Sequence, residues 1–163
     1  MKKALFSNLL FVLFLIGLDV ATKQMALAWI PPMRGGSFPF GGIALFENLG
    51  GVSCSLNLVG NTGMAWGFFS QFPQWLLAIR LAIIAVMIFF AVSARNSTRM
   101  ALWFIIGGAL GNSVDMILHG YVIDFFHFQL FGWSFPLFNV ADSCITLGAL
   151  FLIFWPRKKP ALV

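Results

Sequence analysis

The stretch MALWFIIGGALGNSVDMIL, residues 100–118, decides how this chain folds. Its length is close to the ~20 residues a helix needs to cross ~30 Å of hydrocarbon. The Gly107-Gly-Ala-Leu-Gly111 segment spaces small residues so that a second helix can approach closely. Polar residues come only toward the end, at Asn112 and Asp115. A carboxylate near hydrocarbon costs roughly 2.5–3.5 kcal/mol on insertion scales, so such residues are rare and usually functional. One segment therefore specifies a membrane helix, its packing face and a candidate for chemistry.

Three further apolar runs extend the pattern: residues 4–21, 74–94 and 135–155. With 60% hydrophobic residues, 9% charged and a mean hydropathy of +0.93, an ordinary soluble domain is excluded. The expectation is an all-α membrane protein in which residues 1–163 form one domain with four transmembrane helices. Seven of the ten Lys and Arg (Lys2, Lys3, Arg95, Arg99, Arg157, Lys158 and Lys159) fall at one set of helix ends. The positive-inside rule makes that side, and both termini, cytoplasmic. The net charge of +5 then serves topology and headgroups, and no nucleic-acid partner is expected.

The outward segment, about 24–73, is broken by Pro31, Pro32, Pro39 and several glycines. Within it Val52-Ser-Cys-Ser-Leu-Asn-Leu58 alternates with period two, as a half-buried strand does. Residues 64–69 read as a second strand, giving a small sheet on the membrane surface. A rival reading makes the N-terminus a cleavable signal peptide, with Ala-Leu-Ala at 26–28 as the cleavage site. Cys54 and Cys144 fall at different depths, which argues against a disulfide.

Four of the five acidic residues (Asp19, Asp115, Asp124 and Asp142) lie in or beside the apolar runs. Asp142 is placed about 10 Å into helix 4, and Asp124 follows helix 3 in an apolar stretch beyond Gly120. Two carboxylates held close near the outer boundary share one proton, so one can act as base and the other as acid. The bland alternative is that each only hydrogen-bonds a neighbouring helix. Asp115, half a turn out of phase with Asp124 on a continuous helix, reads as structural, with Asn112 as its local partner. Asp19 and Lys23, spaced i, i+4, are either a surface salt bridge or a site at which Lys23 meets a lipid phosphate. Arg80 is expected to snorkel to the headgroups. His119 and His127 follow Asp115 and Asp124 at helical spacings, but without an HExxH pattern no metal is assigned. Ser143 lacks an activating base, so no serine nucleophile is assigned.

These segments resemble the lipoprotein signal peptidases, signal peptidase II, over nearly the whole chain. Asp19-Val-Ala-Thr-Lys23 resembles the family's D-x-x-S/T-K element, and Asn61-Thr-Gly63-Met-Ala65 its N-x-G-x-A element. Gly107 to Asp115 resembles G-G-x-x-G-N-x-x-D, and Val122-Ile-Asp124-Phe and Phe138-Asn139-Val-Ala-Asp142-Ser resemble the two aspartate motifs. The resemblance implies a bacterial inner-membrane aspartic endopeptidase, acting near the outer face. It would remove signal peptides from diacylglyceryl-prolipoproteins, cutting before the lipidated cysteine. It implies Asp124 and Asp142 as catalytic residues, with Asp19, Lys23, Asn61, Gly63, Asn112, Asp115 and Asn139 as supporting or substrate-binding residues. It further implies no cofactor, contact with membrane phospholipid, a monomer, and inhibition by globomycin-like cyclic peptides. Met116 stands where the family usually has arginine, and Met64, Trp66 and Gly67 replace its usual Ala, Phe and Ser.

Two functions of other classes compete. Intramembrane aspartates also build proton- or ion-coupled transporters, although residues 100–106 and 147–155 supply no polar groups toward the other face. A non-catalytic lipid-binding subunit would tolerate loss of either Asp124 or Asp142.

Overall fold

A computed structural model describes residues 2–62, 73–94 and 96–154. In chain order the elements are α1 (Lys2–Trp29), β1 (Ile43–Leu49), β2 (Val52–Asn61), α2 (Pro73–Ser93), α3 (Asn96–His119), β3 (Val122–Leu130), β4 (Trp133–Ser134) and α4 (Val140–Phe154). Among the described residues, three helices are long and apolar enough to cross a membrane, over Leu5–Trp29, Gln74–Ser93 and Thr98–His119. The fourth, α4, is apolar but has only 15 residues.

Helix α3 is central and packs against α1, α2 and α4. Its glycines allow this. A Cβ on Gly108 would stand 2.3 Å from the Ala141 carbonyl oxygen of α4, and one on Gly107 2.8 Å from Leu15 of α1. From the other side Gly148 of α4 meets the Ala101 carbonyl, where a Cβ would come to 2.7 Å. The small-residue face Ala141, Cys144 and Gly148 is the buried face of α4. Val12, Ile84, Ala91, Trp103 and Ile106 form the apolar core between α1, α2 and α3. The outer faces of α1 and α2 stay uncovered, with Phe6, Phe14, Ile83 and Phe89 among the exposed side chains. That surface suits lipid.

The sheet caps the end of the bundle where α1 and α3 finish and α4 begins. Its order is β1-β2-β3-β4, antiparallel throughout. Strand β2 pairs with β3 from Val52↔Leu130 to Asn61↔Val122, with a bulge between Leu56 and Val59. The residues after α1 are tied to β2 by Leu58 N–H donating to the Pro31 carbonyl at 3.0 Å, and by Met33 N–H donating to the Leu58 carbonyl at 3.0 Å.

Several expectations are corrected. Helix α1 runs to Trp29 rather than residue 21, because Asp19 and Lys23 are buried within the bundle and do not end it. Pro31 and Pro32, which have no N–H to donate, follow its end. The 26–28 segment is therefore helical. Helix α4 starts at Val140, five residues later than expected, because Phe138 is held in a backbone bridge to Phe126. Asp142 thus lies in the first turn of α4. The partners of β2 are β1 and β3, both unread in the sequence; the strand expected at residues 64–69 lies outside the described residues. Cys54 and Cys144 are both free.

Candidate active site

Gly120 closes α3 in a left-handed conformation (φ +77°), with its N–H on the Met116 carbonyl at 3.2 Å. The chain then turns straight into β3. Asp115, one turn before the helix end, accepts a hydrogen bond from Ile123 N–H at 3.0 Å and fixes where the strand begins. The next residue is Asp124.

Asn139 caps α4. Its Oδ1 accepts from Asp142 N–H at 2.9 Å, while Asp142 Oδ2 accepts from Asn139 N–H at 3.2 Å. This is a reciprocal capping box. With Oδ1 so committed, the amide nitrogen of Asn139 points the other way, donating to Asp124 Oδ1 at 2.7 Å. The same Nδ2 lies 3.0 Å from Asn112 Oδ1 and 3.2 Å from the Ile123 carbonyl. Asn139 is fully buried and touches both carboxylates. Asn112 donates to Asp142 Oδ1 at 2.7 Å, and Asn61, at the end of β2, donates to Asp124 Oδ2 at 3.1 Å. Three asparagines therefore orient two carboxylates.

Both carboxylates line one cavity of about 1050 Å³. Its wall is largely apolar, including Val59, Val122, Phe135, Leu137, Phe138 and Leu147, with Asn61, Asn112, Asp124, Asp142 and Arg80 as the polar groups the chemistry can use. A mostly apolar wall with a few convergent polar groups is the usual character of a ligand site. Burial, followed by the nearby Asp142 charge, pushes the Asp124 carboxyl up to about 7, against the opposing hydrogen bonds from Asn61 and Asn139.

Asp19, Lys23 and Asp115 form a second buried cluster behind this wall. Lys23 Nζ is 2.7 Å from Asp19 Oδ2 and 2.8 Å from Asp115 Oδ2, and donates to Asn112 Oδ1 at 2.9 Å. Asp19 Oδ1 accepts from Ala141 N–H at 2.8 Å, satisfying a second free amide at the start of α4. Gly111 makes room for this, since a Cβ there would lie 2.8 Å from Asp19 Oδ2.

This geometry corrects four expectations. Lys23 is wholly buried on three protein acceptors, so it does not reach a lipid phosphate. The side chain of Asn112 serves Asp142, Lys23 and Asn139, while Asp115 holds Lys23 and β3. Since α3 stops at His119, helical phase does not relate Asp115 to Asp124. Arg80 faces the cavity instead of the headgroups.

His127 and Asp124 are three apart on a strand, which sends their side chains to opposite faces. His127 instead packs against Ser134 Oγ at 2.7 Å, and burial lowers its pKa. Gly63, Met64, Trp66 and Gly67 lie outside the described residues. Met116 is buried and is not among the residues that line the cavity.

Residues 11–156 match the sequence pattern of the family described as Signal peptidase (SPase) II. The chain belongs to that family. The lipoprotein signal peptidase of Chlamydia pneumoniae is 33% identical over 160 residues, covering 94% of each chain. That of Burkholderia vietnamiensis is 42% identical over 106 residues, which span 61% of this chain and 64% of the relative. Two solved structures, each described as a bacterial membrane enzyme determined by the in meso method, share this fold. The structure at 1.9 Å has a TM-score of 0.72 and 27% identity, and the one at 2.3 Å has 0.71 and 25%, each covering 94% of both chains.

Proposed function

We propose that this signal peptidase II chain is an aspartic endopeptidase that cleaves signal peptides from diacylglyceryl-modified bacterial prolipoproteins. Cleavage falls before the lipidated cysteine. The observation that carries the reading is the pair Asp124 and Asp142 on one apolar cavity wall, both hydrogen-bonded to Asn139.

The two acids divide the work by their surroundings. Asp142 lies in the first turn of α4, where the helix dipole and the capping amide favour its charged form. Asp124, pushed up to about 7, keeps the shared proton. Asp142 takes a proton from water as that water attacks the scissile carbonyl. Asp124 protonates the carbonyl oxygen; as the C–N bond breaks, Asp142 gives its new proton to the leaving amine and Asp124 takes one back from a hydroxyl of the tetrahedral intermediate.

In the membrane, α1, α2, α3 and the shorter α4 would make four crossings with both termini cytoplasmic. The sheet then rests at the outer face, and diacyl chains in the bilayer would hold the peptide at the depth of the pair. The unit is read as a monomeric single domain without a cofactor.

Purified protein should cleave a synthetic diacylglyceryl-cysteine prolipoprotein peptide. Asp124→Asn and Asp142→Asn should each lower kcat by roughly 10²–10⁴-fold or more. The double variant should be little worse than either single one, because the pair acts as a unit. Near-normal cleavage by either folded single variant would overturn the assignment.

A further inference from the structure

Among the described residues, the cavity wall carries one cation, Arg80 of α2. Its Nη1 is buried and has no hydrogen-bond partner. No ion pair within the described residues engages it either, although Asp142, Asp124 and Asp115 all lie within electrostatic reach. A buried guanidinium nitrogen without an acceptor is costly to keep. Something that enters the cavity would relieve that cost.

We propose that Arg80 is a substrate-binding residue, with Nη1 donating to a peptide carbonyl oxygen of the extended segment beside the scissile bond. This deepens the reading of the cavity as a peptidase site and rests on it. Three features support it beyond the missing acceptor. Arg80 shares the cavity with both carboxylates, so a peptide in reach of the pair passes the guanidinium. The end of β2, at Val59, Gly60 and Asn61, lines the same cavity, so the guanidinium lies on the sheet side of the bundle. A peptide carbonyl is also the right class of acceptor: it is neutral, so binding would not add a third negative group beside Asp124 and Asp142. A free carboxylate or phosphate would meet repulsion from that pair. Met116, buried away from the cavity, cannot supply the cation in place of Arg80.

The test uses full-length protein and the same diacylglyceryl-cysteine peptide, prepared with the natural amides and with a single thioamide at successive positions flanking the scissile bond. A thioamide sulfur is a poor acceptor and weakens the contact at one carbonyl only. For Arg80→Gln the expected result is a rise in KM of ~10–100-fold, the loss typical of a hydrogen bond made by a charged group, with a smaller change in kcat. Arg80→Lys should recover part of it. One thioamide position should cost the wild type about as much as Arg80→Gln does, and should cost Arg80→Gln nothing further. Binding of the intact peptide to Asp142→Asn, compared with Asp142→Asn/Arg80→Gln, should show the same loss without any turnover. A melting temperature for each variant separates binding from folding.

Unchanged KM in folded Arg80→Gln would overturn the proposal. So would a shifted pH profile at constant KM, which would make Arg80 an electrostatic neighbour of the acids only. Failure of the wild type to cleave the peptide at all would instead remove the peptidase reading on which the proposal stands.

Discussion

Two groups of carboxylates lie within one hydrogen-bond network, and they are built in opposite ways. Asp19 and Asp115 share Lys23 at 2.7 and 2.8 Å, and each also accepts a backbone N–H. Asp124 and Asp142 have no cation in contact among the described residues, and side-chain amides and one backbone N–H hold them at the edge of a cavity. Asn112 links the two groups, accepting from Lys23 and donating to Asp142. Burial is therefore a poor guide to which acid does chemistry. Asp19, at 1% exposure, is more buried than Asp124 at 3%, yet its charge is neutralised and its oxygens face the protein. An acid that must exchange a proton with a bound molecule needs an open side, and only Asp124 and Asp142 line the cavity.

Lys23 is the residue on which the first group depends most. Lys23→Met would leave Asp19 and Asp115 buried without their cation, a loss of roughly 3–5 kcal/mol for a buried pair deprived of one partner. Thermal denaturation in detergent should register it, and Lys23→Met/Asp115→Asn should regain part of the stability. A Lys23→Met protein that melts normally but does not cleave would put Lys23 in the chemistry and erase the distinction between the two groups.

A change at Asn139 should reach both functions at once. Asn139→Ala removes the cap of α4 and the donor to Asp124, expected to cost roughly 2–3 kcal/mol in stability. Because the same residue orients both acids, kcat should fall by about 10²-fold in the fraction that remains folded. Asn61→Ala removes a donor to Asp124 Oδ2 but leaves the cap of α4 in place, so it should cost less stability than Asn139→Ala and affect kcat less. Equal effects of the two substitutions on melting temperature would contradict the role of Asn139 as the joint.

Much of this was legible in the residues, for identifiable reasons. The helices followed from apolar length, and the close packing of α3 on α4 from Gly108 and Gly148. The capping box was written in the sequence as well: Asn139 and Asp142 are three apart just before an apolar run, an N-terminal signal that sets where α4 starts. Phe135, Leu137 and Phe138 mask it by extending the apolar run upstream of the cap. Strand β3 was harder. Residues 122–130 are apolar, aromatic and short, and such a run cannot be told from a helix end or loop without its pairing partner. Gly120 and Gly132 at its borders were the available signal. The partnership of Lys23 with Asp115 joins residues far apart in the chain, and no local spacing encodes it. The position of Arg80 in the cavity depends likewise on the rotation of α2, which a helix apolar nearly all round does not specify.

The smallest expected effect is the most specific to the contrast, and it concerns pH. Asp124 is raised from the ordinary 3.8 to about 7. Between those values the folded protein binds more protons at this site than the unfolded chain does. Stability must then fall as pH rises through that window. Its contribution is fully present below the unfolded value and is lost as pH passes about 7. Between about pH 6 and pH 7.5 the wild type should lose on the order of 1 kcal/mol from this one group. Asp124→Asn has no such proton to lose, so its melting temperature should be flatter across the range and higher than that of the wild type at the alkaline end. The same ionisation should appear in the wild-type rate, because the proposed acid is spent once deprotonated: kcat/KM should decline above about pH 7. Asp115, ion-paired with Lys23 at 2.8 Å and outside the cavity lining, is the substitution that serves as the comparison. If Asp115→Asn flattened the stability profile and Asp124→Asn left it unchanged, the proton would belong to the wrong cluster, and the division between a structural and a reactive pair would have to be reversed.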